Sequence, residues 1–214
     1  MLWDDYAATW SGLHGGFDPR RASFLVRGWV RLAYTCGSWL TRRRIGPMAV
    51  TTAGLVLCLL VPAAAWLGRP VLILAAALAL LAALADSMDG AVAVISGRTT
   101  KLGYVYDSVA DRLGEAAWLT AFWLAGAPGA LVVAAGALSW LHEYARARAS
   151  AAGMSEIGAV TVAERPTRVL VAIFGLVGAA ALPVVATVAT GVWLLLAVVG
   201  AVQLAAAVRR ALAG

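Results

Sequence analysis

The sequence predicts an all-α integral membrane protein: six transmembrane helices preceded by an N-terminal interfacial amphipathic helix. Three observations predict it. Hydrophobic residues make up 62% of the 214 residues and the mean hydropathy is +0.85, whereas a soluble domain is about half apolar. Six apolar runs are long enough to cross a bilayer as helices. The basic residues gather in alternate connections between those runs, as the positive-inside rule requires.

The elements follow in order. Residues 1–19 hold Trp3, Trp10 and Gly15-Gly16 and suggest no role. They contain no short apolar core with a small-residue cleavage site, so no removable signal is expected. In residues 20–44, Leu25, Trp29, Leu32, Cys36 and Trp39 recur at steps of four and three, with Arg20, Arg27 and Arg31 on other faces. That pattern predicts a helix lying in the headgroup plane on the cytoplasmic side. Residues 1–44 are therefore read as an N-terminal segment and 45–214 as a six-helix catalytic domain. Spans are expected near 48–67, 70–95, 102–126, 128–145, 168–187 and 190–208. Turns are expected at Gly68-Arg69-Pro70, at Gly126-Ala127-Pro128-Gly129 and around Thr190-Gly191.

With six spans, Arg42–Arg44, Arg98, Lys101, Arg146, Arg148, Arg165, Arg168, Arg209 and Arg210 all fall on one side, and only Arg69 among the opposite loops. That side is cytoplasmic, and so are both termini. Arginine supplies 16 of the 17 basic residues. With the abundance of Ala, Val, Leu and Gly, this composition points to a GC-rich bacterium and hence to its inner (plasma) membrane. The net charge of +6 is concentrated in short segments, which suits anionic lipid and phosphorylated substrates and not nucleic acid. Cys36 and Cys58 form no motif and read as packing thiols.

The most informative residues are four aspartates. Asp86 and Asp89 end the second apolar run, and Asp107 and Asp111 open the third. Acids in such places are costly and mark function. Spacings of three and four put each pair on one helix face. The short connection makes the two helices antiparallel neighbours with both pairs near its end. The bases at hand, Arg98, Lys101 and Arg112, are too few to neutralise four acids. Carboxylates alone suit Mg²⁺ or Mn²⁺ and not zinc, and four can hold two ions that bridge to substrate phosphate. Gly90, Gly103 and Ala93 then let a bulky ligand approach closely.

The pattern Asp86-x2-Asp89-Gly90-x2-Ala93-x9-Gly103-x3-Asp107-x3-Asp111 resembles the signature of the CDP-alcohol phosphotransferases, six-span membrane enzymes of phospholipid synthesis. The resemblance covers roughly residues 40–210. It implies displacement of CMP from CDP-diacylglycerol by an acceptor hydroxyl, with Asp86, Asp89, Asp107 and Asp111 as metal ligands and Asp111 also as general base. It places Thr100 at a position contacting the CDP group, and it implies a homodimer. Two departures stand out. Val94 occupies the position where the family carries arginine, and Arg98, one turn on, is placed to substitute for it. Pro47-Met48-Ala49-Val50-Thr51 keeps the Pro and Thr of an upstream Pro-Asn-x-x-Thr element but has Met48 for Asn. The donor-binding set is thus Thr51, Gly90, Ala93, Arg98, Thr100 and Gly103.

Arg146, Arg148, Arg165 and Arg168 cluster where span four ends and span five begins. Guanidinium groups fork phosphate oxygens, so these four are candidates for binding a phosphorylated acceptor; anchoring span ends at headgroups is the competing role. Both segments resemble those of bacterial phosphatidylinositol-phosphate synthases, which implies inositol phosphate as acceptor. Glu115 is expected to pair with Arg112, and His142 with Glu143 to form an interfacial pair. The alternatives are the same chemistry with glycerol 3-phosphate or another alcohol, a membrane prenyltransferase, and a divalent-cation transporter.

Overall fold

A computed structural model describes residues 1–154 and 160–212. The described chain is all-helical: α1 (Trp3–Leu13), α2 (Phe24–Arg42), α3 (Pro47–Trp66), α4 (Leu72–Ser96), α5 (Lys101–Leu124), α6 (Gly129–Ala151), α7 (Arg165–Ala181) and α8 (Val184–Leu212), with one 3₁₀ turn at Arg69–Val71.

Local chemistry sets the boundaries. The Ser23 hydroxyl accepts the Val26 amide to start α2, as a capping hydroxyl does. Pro47 opens α3, where its missing N–H costs nothing. Gly68 and Gly126 adopt φ of +100° and +107° at the two expected turns, a conformation that favours glycine. The third expected turn is not at Thr190-Gly191. Thr190 lies inside α8 with its hydroxyl on the Ala186 carbonyl, and the break falls at Leu182-Pro183 instead. Leu182 is extended (φ −130°, ψ 113°), because proline bars the preceding residue from helical geometry. The fifth expected apolar run thus corresponds to α7, ending at Ala181, and the sixth lies in a helix that begins earlier than the hydropathy suggested.

Among the described residues, three helical stretches are long and apolar enough to cross a membrane: Pro47–Trp66, Arg69–Ser96 and Val184–Leu212. The other three expected spans differ for visible reasons. α5 carries Asp107, Asp111, Arg112 and Glu115 within its length, α6 carries Glu143, Arg146 and Arg148, and α7 has only 17 residues.

The chain divides into two compact units, one of residues 1–57 and 81–111, the other of 58–80 and 112–214. In the first, Val50 of α3 packs with Ala85 and Val92 of α4, and Leu40 of α2 joins them. α2 buries Val30, Ala33 and Gly37. Leu25, Leu32 and Trp39 of the predicted apolar stripe stay exposed. Gly37 is required by contact: an added Cβ would lie 2.9 Å from that of Ala91. Tyr6 of α1 is buried with Val30, Ala33 and Ala91.

In the second unit α8 packs against α6 and α7. Gly175 of α7 lets Ala189 and Phe122 approach so closely that an added Cβ would sit 2.7 and 2.6 Å from them. The Trp193 indole donates to the Ser139 hydroxyl at 2.9 Å, both side chains being buried. Arg69 donates to the carbonyls of Ala180 and Ala181 at the end of α7, where a cation complements the helix dipole.

Candidate metal centre

The two-helix geometry expected from the aspartate spacing is present. α4 ends after Ser96, and Gly97 turns the chain with φ +66°. The Thr100 hydroxyl accepts the Gly103 amide at 3.0 Å at the start of α5. This short connection places Asp86 and Asp89 of α4 beside Asp107 of α5. One carboxylate oxygen from each lies within 4.8 Å of the others. Asp89 is buried; Asp86 and Asp107 are half-buried. Three carboxylates this close repel one another unless a cation lies among them. An all-oxygen donor set fits a hard divalent ion such as Mg²⁺ or Mn²⁺. Asp111, one turn beyond Asp107, is half-buried and stands outside this group of three.

The predicted donor-binding residues have more varied positions. Thr51 is buried, and its hydroxyl donates to Asp89 Oδ2 at 2.6 Å while also lying 3.1 Å from the Pro47 carbonyl. It therefore orients a carboxylate, a role the sequence did not reveal. Gly90 is exposed, and an added Cβ there would meet nothing within 4 Å. An added Cβ on Gly103 would lie 3.0 Å from the Thr100 hydroxyl, so this glycine and Thr100 belong to one helix cap. Ala93 is half-buried. Arg98 is exposed, with its guanidinium near Gly46 at the start of α3.

Two further contacts brace the centre. The Thr52 hydroxyl lies 2.8 Å from the Tyr106 phenol, beside Asp107. The Trp29 indole donates to Ser87, between Asp86 and Asp89, at 2.9 Å. A threonine pair four and five residues after a helix-opening proline was the only sequence signal for the first, and nothing local signalled the second.

In the second unit the arginines form a network with acids. Arg168 is buried; its Nε donates to the Ala163 carbonyl, its Nη1 to both oxygens of Glu115 at 2.7 Å, and its Nη2 to Glu143. Arg112 reaches Glu115 at 3.1 Å, the expected pair, and also Glu143 at 3.2 Å. The expected His142–Glu143 pair is present at 3.5 Å. Arg146 bonds Glu164. The Arg165 guanidinium lies 5.7 Å from the centre of the Trp118 ring. Arg148 is exposed. All three nitrogens of the Arg168 guanidinium are thus committed, to a carbonyl and two acids.

Residues 44–208 match the family model described as CDP-alcohol phosphatidyltransferase. The chain belongs to that family. Within it, the chain is 37% identical over 100 residues to the phosphatidylinositol phosphate synthase of Mycolicibacterium smegmatis, covering 43% of this chain and 44% of that protein. It is 32% identical over 136 residues to the archaetidylinositol phosphate synthase of Pyrococcus horikoshii, covering 63% and 71%. The first of these matches spans less than half the length of the relative. A solved structure of the Mycobacterium tuberculosis phosphatidylinositol phosphate synthase with CDP-DAG bound superposes with a TM-score of 0.67 at 26% identity, covering 84% of this chain and 94% of that one. The same enzyme in complex with manganese and citrate gives 0.65 at 26% identity, covering 82% and 88%. The helices α1 and α2 lie ahead of the family match.

Proposed function

We propose that the protein transfers a phosphatidyl group from CDP-diacylglycerol to the hydroxyl of a small phosphorylated alcohol, inositol phosphate being favoured, and releases CMP. The observation that carries this reading is the convergence of Asp86, Asp89 and Asp107 oxygens within 4.8 Å, inside the stretch that matches the CDP-alcohol phosphatidyltransferase family. The names of the relatives, bacterial and archaeal, support an inositol phosphate acceptor.

In this reading Asp86, Asp89 and Asp107, with Asp111, hold two Mg²⁺ or Mn²⁺ ions. Divalent ions there supply neutralisation of the diphosphate and of the charge that develops on the departing CMP. The remaining chemistry belongs to the chain. Asp111 takes the proton from the acceptor hydroxyl as its oxygen bonds to the phosphorus bearing the diacylglycerol. The bond from that phosphorus to the bridging oxygen breaks, and the electron pair leaves with CMP. Thr51 fixes Asp89. Exposed Gly90, with Ala93 and Gly103, leaves room for the diphosphate, and Arg98 supplies a cation in place of the arginine that Val94 lacks. Thr100 sits beside Gly103 at the nucleotide end.

Acceptor phosphate recognition falls to Arg146, Arg148 and Arg165, with Arg168 contributing through the acids it anchors. The site faces the cytoplasm of a bacterial inner membrane, with six spans, both termini cytoplasmic, and α2 in the headgroup plane. The exposed Leu25, Leu32 and Trp39 support that placement of α2. The protein acts as a homodimer.

The test is CMP release by purified protein given CDP-diacylglycerol, Mg²⁺ or Mn²⁺, and a panel of acceptors. Turnover with inositol phosphate that Asp89→Asn and Asp111→Asn abolish is the expected result. Turnover surviving in both variants, or none with any acceptor, rejects the reading.

A further inference from the structure

Helix α4, which carries Asp86 and Asp89, has two distinct faces. At about 100° per residue, Asp86, Asp89 and Ala93 share one side, while Ser87, Ala91, Val94 and Ile95 share another roughly opposite. The second side is covered by the N-terminal helices. Tyr6 of α1 is buried and packs with Val30, Ala33 and Ala91, joined by Trp3, Trp10, Tyr34, Val94 and Ile95. The rings of Trp3, Tyr6 and Tyr34 lie 5.2 to 6.0 Å apart, centre to centre. The Tyr34 hydroxyl closes the group on the Met1 carbonyl at 3.0 Å. Gly37 brings the α2 backbone flush against Ala91 and Val92. Two turns up α2, the Trp29 indole donates to Ser87, and Ser87 itself donates to the Ala83 carbonyl at 3.2 Å.

We infer that Trp29, acting through Ser87 and braced by the aromatic cluster of α1 and α2, is a positioning residue that sets the rotation of α4 and so aims Asp86 and Asp89. The bond to Ser87 is a directional contact in a largely apolar face. Apolar packing fixes how near α2 lies but only loosely fixes its register, whereas an indole N–H has one direction and one partner. Val94 is part of the brace, packed against the cluster of Tyr6, Val30, Ala33 and Ala91. The inference rests on the reading of the aspartates as metal ligands.

The experiment measures Mn²⁺ binding to the purified full chain in detergent by the loss of the free-ion electron paramagnetic resonance signal, for wild type, Asp89→Asn, Trp29→Phe, Ser87→Ala and the double variant. Trp29→Phe keeps the ring and removes the donor. Each single variant is expected to weaken Mn²⁺ about fivefold, the worth of one net hydrogen bond, with the melting temperature unchanged. The double variant should be no weaker than either single, because both remove the same bond. Wild type that binds Mn²⁺ no better than Asp89→Asn overturns the metal reading itself. Wild type that binds while Trp29→Phe and Ser87→Ala bind equally well overturns only the positioning role. Losses that track a fall in melting temperature, or that add in the double variant, overturn it as well.

Discussion

Replacing Thr51 by valine removes one hydroxyl at almost constant volume and leaves Asp89 Oδ2 without the donor now 2.6 Å away. A hydrogen bond to a charged group contributes about 1.5–3 kcal/mol, which at about 1.4 kcal/mol per decade is about 10- to 100-fold in an equilibrium constant. The loss expected for partners that orient metal ligands is of the same order, about 10–100-fold in metal affinity. The hydroxyl has one proton and lies 3.1 Å from the Pro47 carbonyl as well, so the Asp89 bond does not hold the whole of it. The lower end, about tenfold, is the better expectation. The assay is CMP release against Mn²⁺ concentration at saturating CDP-diacylglycerol. Thr51→Val should raise the half-saturating Mn²⁺ about tenfold, and Thr51→Ser should restore it. If Thr51 instead touches the nucleotide, as its place in the sequence suggests, the KM for the lipid rises and the Mn²⁺ dependence stays put. A Mn²⁺ dependence within twofold of wild type (about 0.4 kcal/mol) would refute the argument.

Three other outcomes are expected. Arg168→Met removes the buried partner of Glu115 and Glu143 and leaves Arg112 alone beside both, so it should cost about 3 kcal/mol of stability, the lower end for a broken buried pair, read as a large fall in melting temperature in detergent, whereas exposed Arg148→Ala should leave melting untouched; equal effects would contradict the pairing. Gly175→Ala forces a methyl to within 2.6 Å of Phe122 and 2.7 Å of Ala189 and should destabilise by about 1–3 kcal/mol, while Gly191→Ala, with open space around it, should not. Burial pushes the Tyr6 phenol up to about 12 from its ordinary value of 10.0. A folded-state value above the unfolded one means that its stabilisation is complete below pH 10 and is lost as the pH rises toward 12. The ultraviolet titration difference between wild type and Tyr6→Phe should therefore have its midpoint near 12, and a midpoint near 10 would show the ring to be solvated.

The legible part of this protein was the part written in local spacing. Asp86 with Asp89, and Asp107 after a short connection, needed only helical periodicity to be placed together. The turns at Gly68 and Gly126 announced themselves through glycine beside proline. Arg112 with Glu115 is an i,i+3 pair and was read as one. The illegible part was set by distant partners or by competition among weak signals. Thr51 reads as a substrate contact until α4 is packed beside it. Arg168 reads as a free phosphate fork until Glu115, 53 residues earlier, closes on it. At the last turn, Pro183 outweighed Thr190-Gly191, because a proline constrains its predecessor sterically while threonine and glycine merely tolerate a bend. The opening nineteen residues suggested nothing, since their aromatic rings gain meaning only against Ala91 and Val94.

Thr51 and Thr52 are neighbours on α3, yet one fastens Asp89 of α4 and the other meets Tyr106 of α5. Adding or deleting one residue between Pro47 and this pair would swing both hydroxyls by about 100° and uncouple both acid-bearing rods in a single event. Relatives can therefore diverge along this stretch by exchanging side chains, whereas changes in its length should be purged. The spacing from proline to threonine acts as a ruler, and what it sets is a count of residues more than their identity.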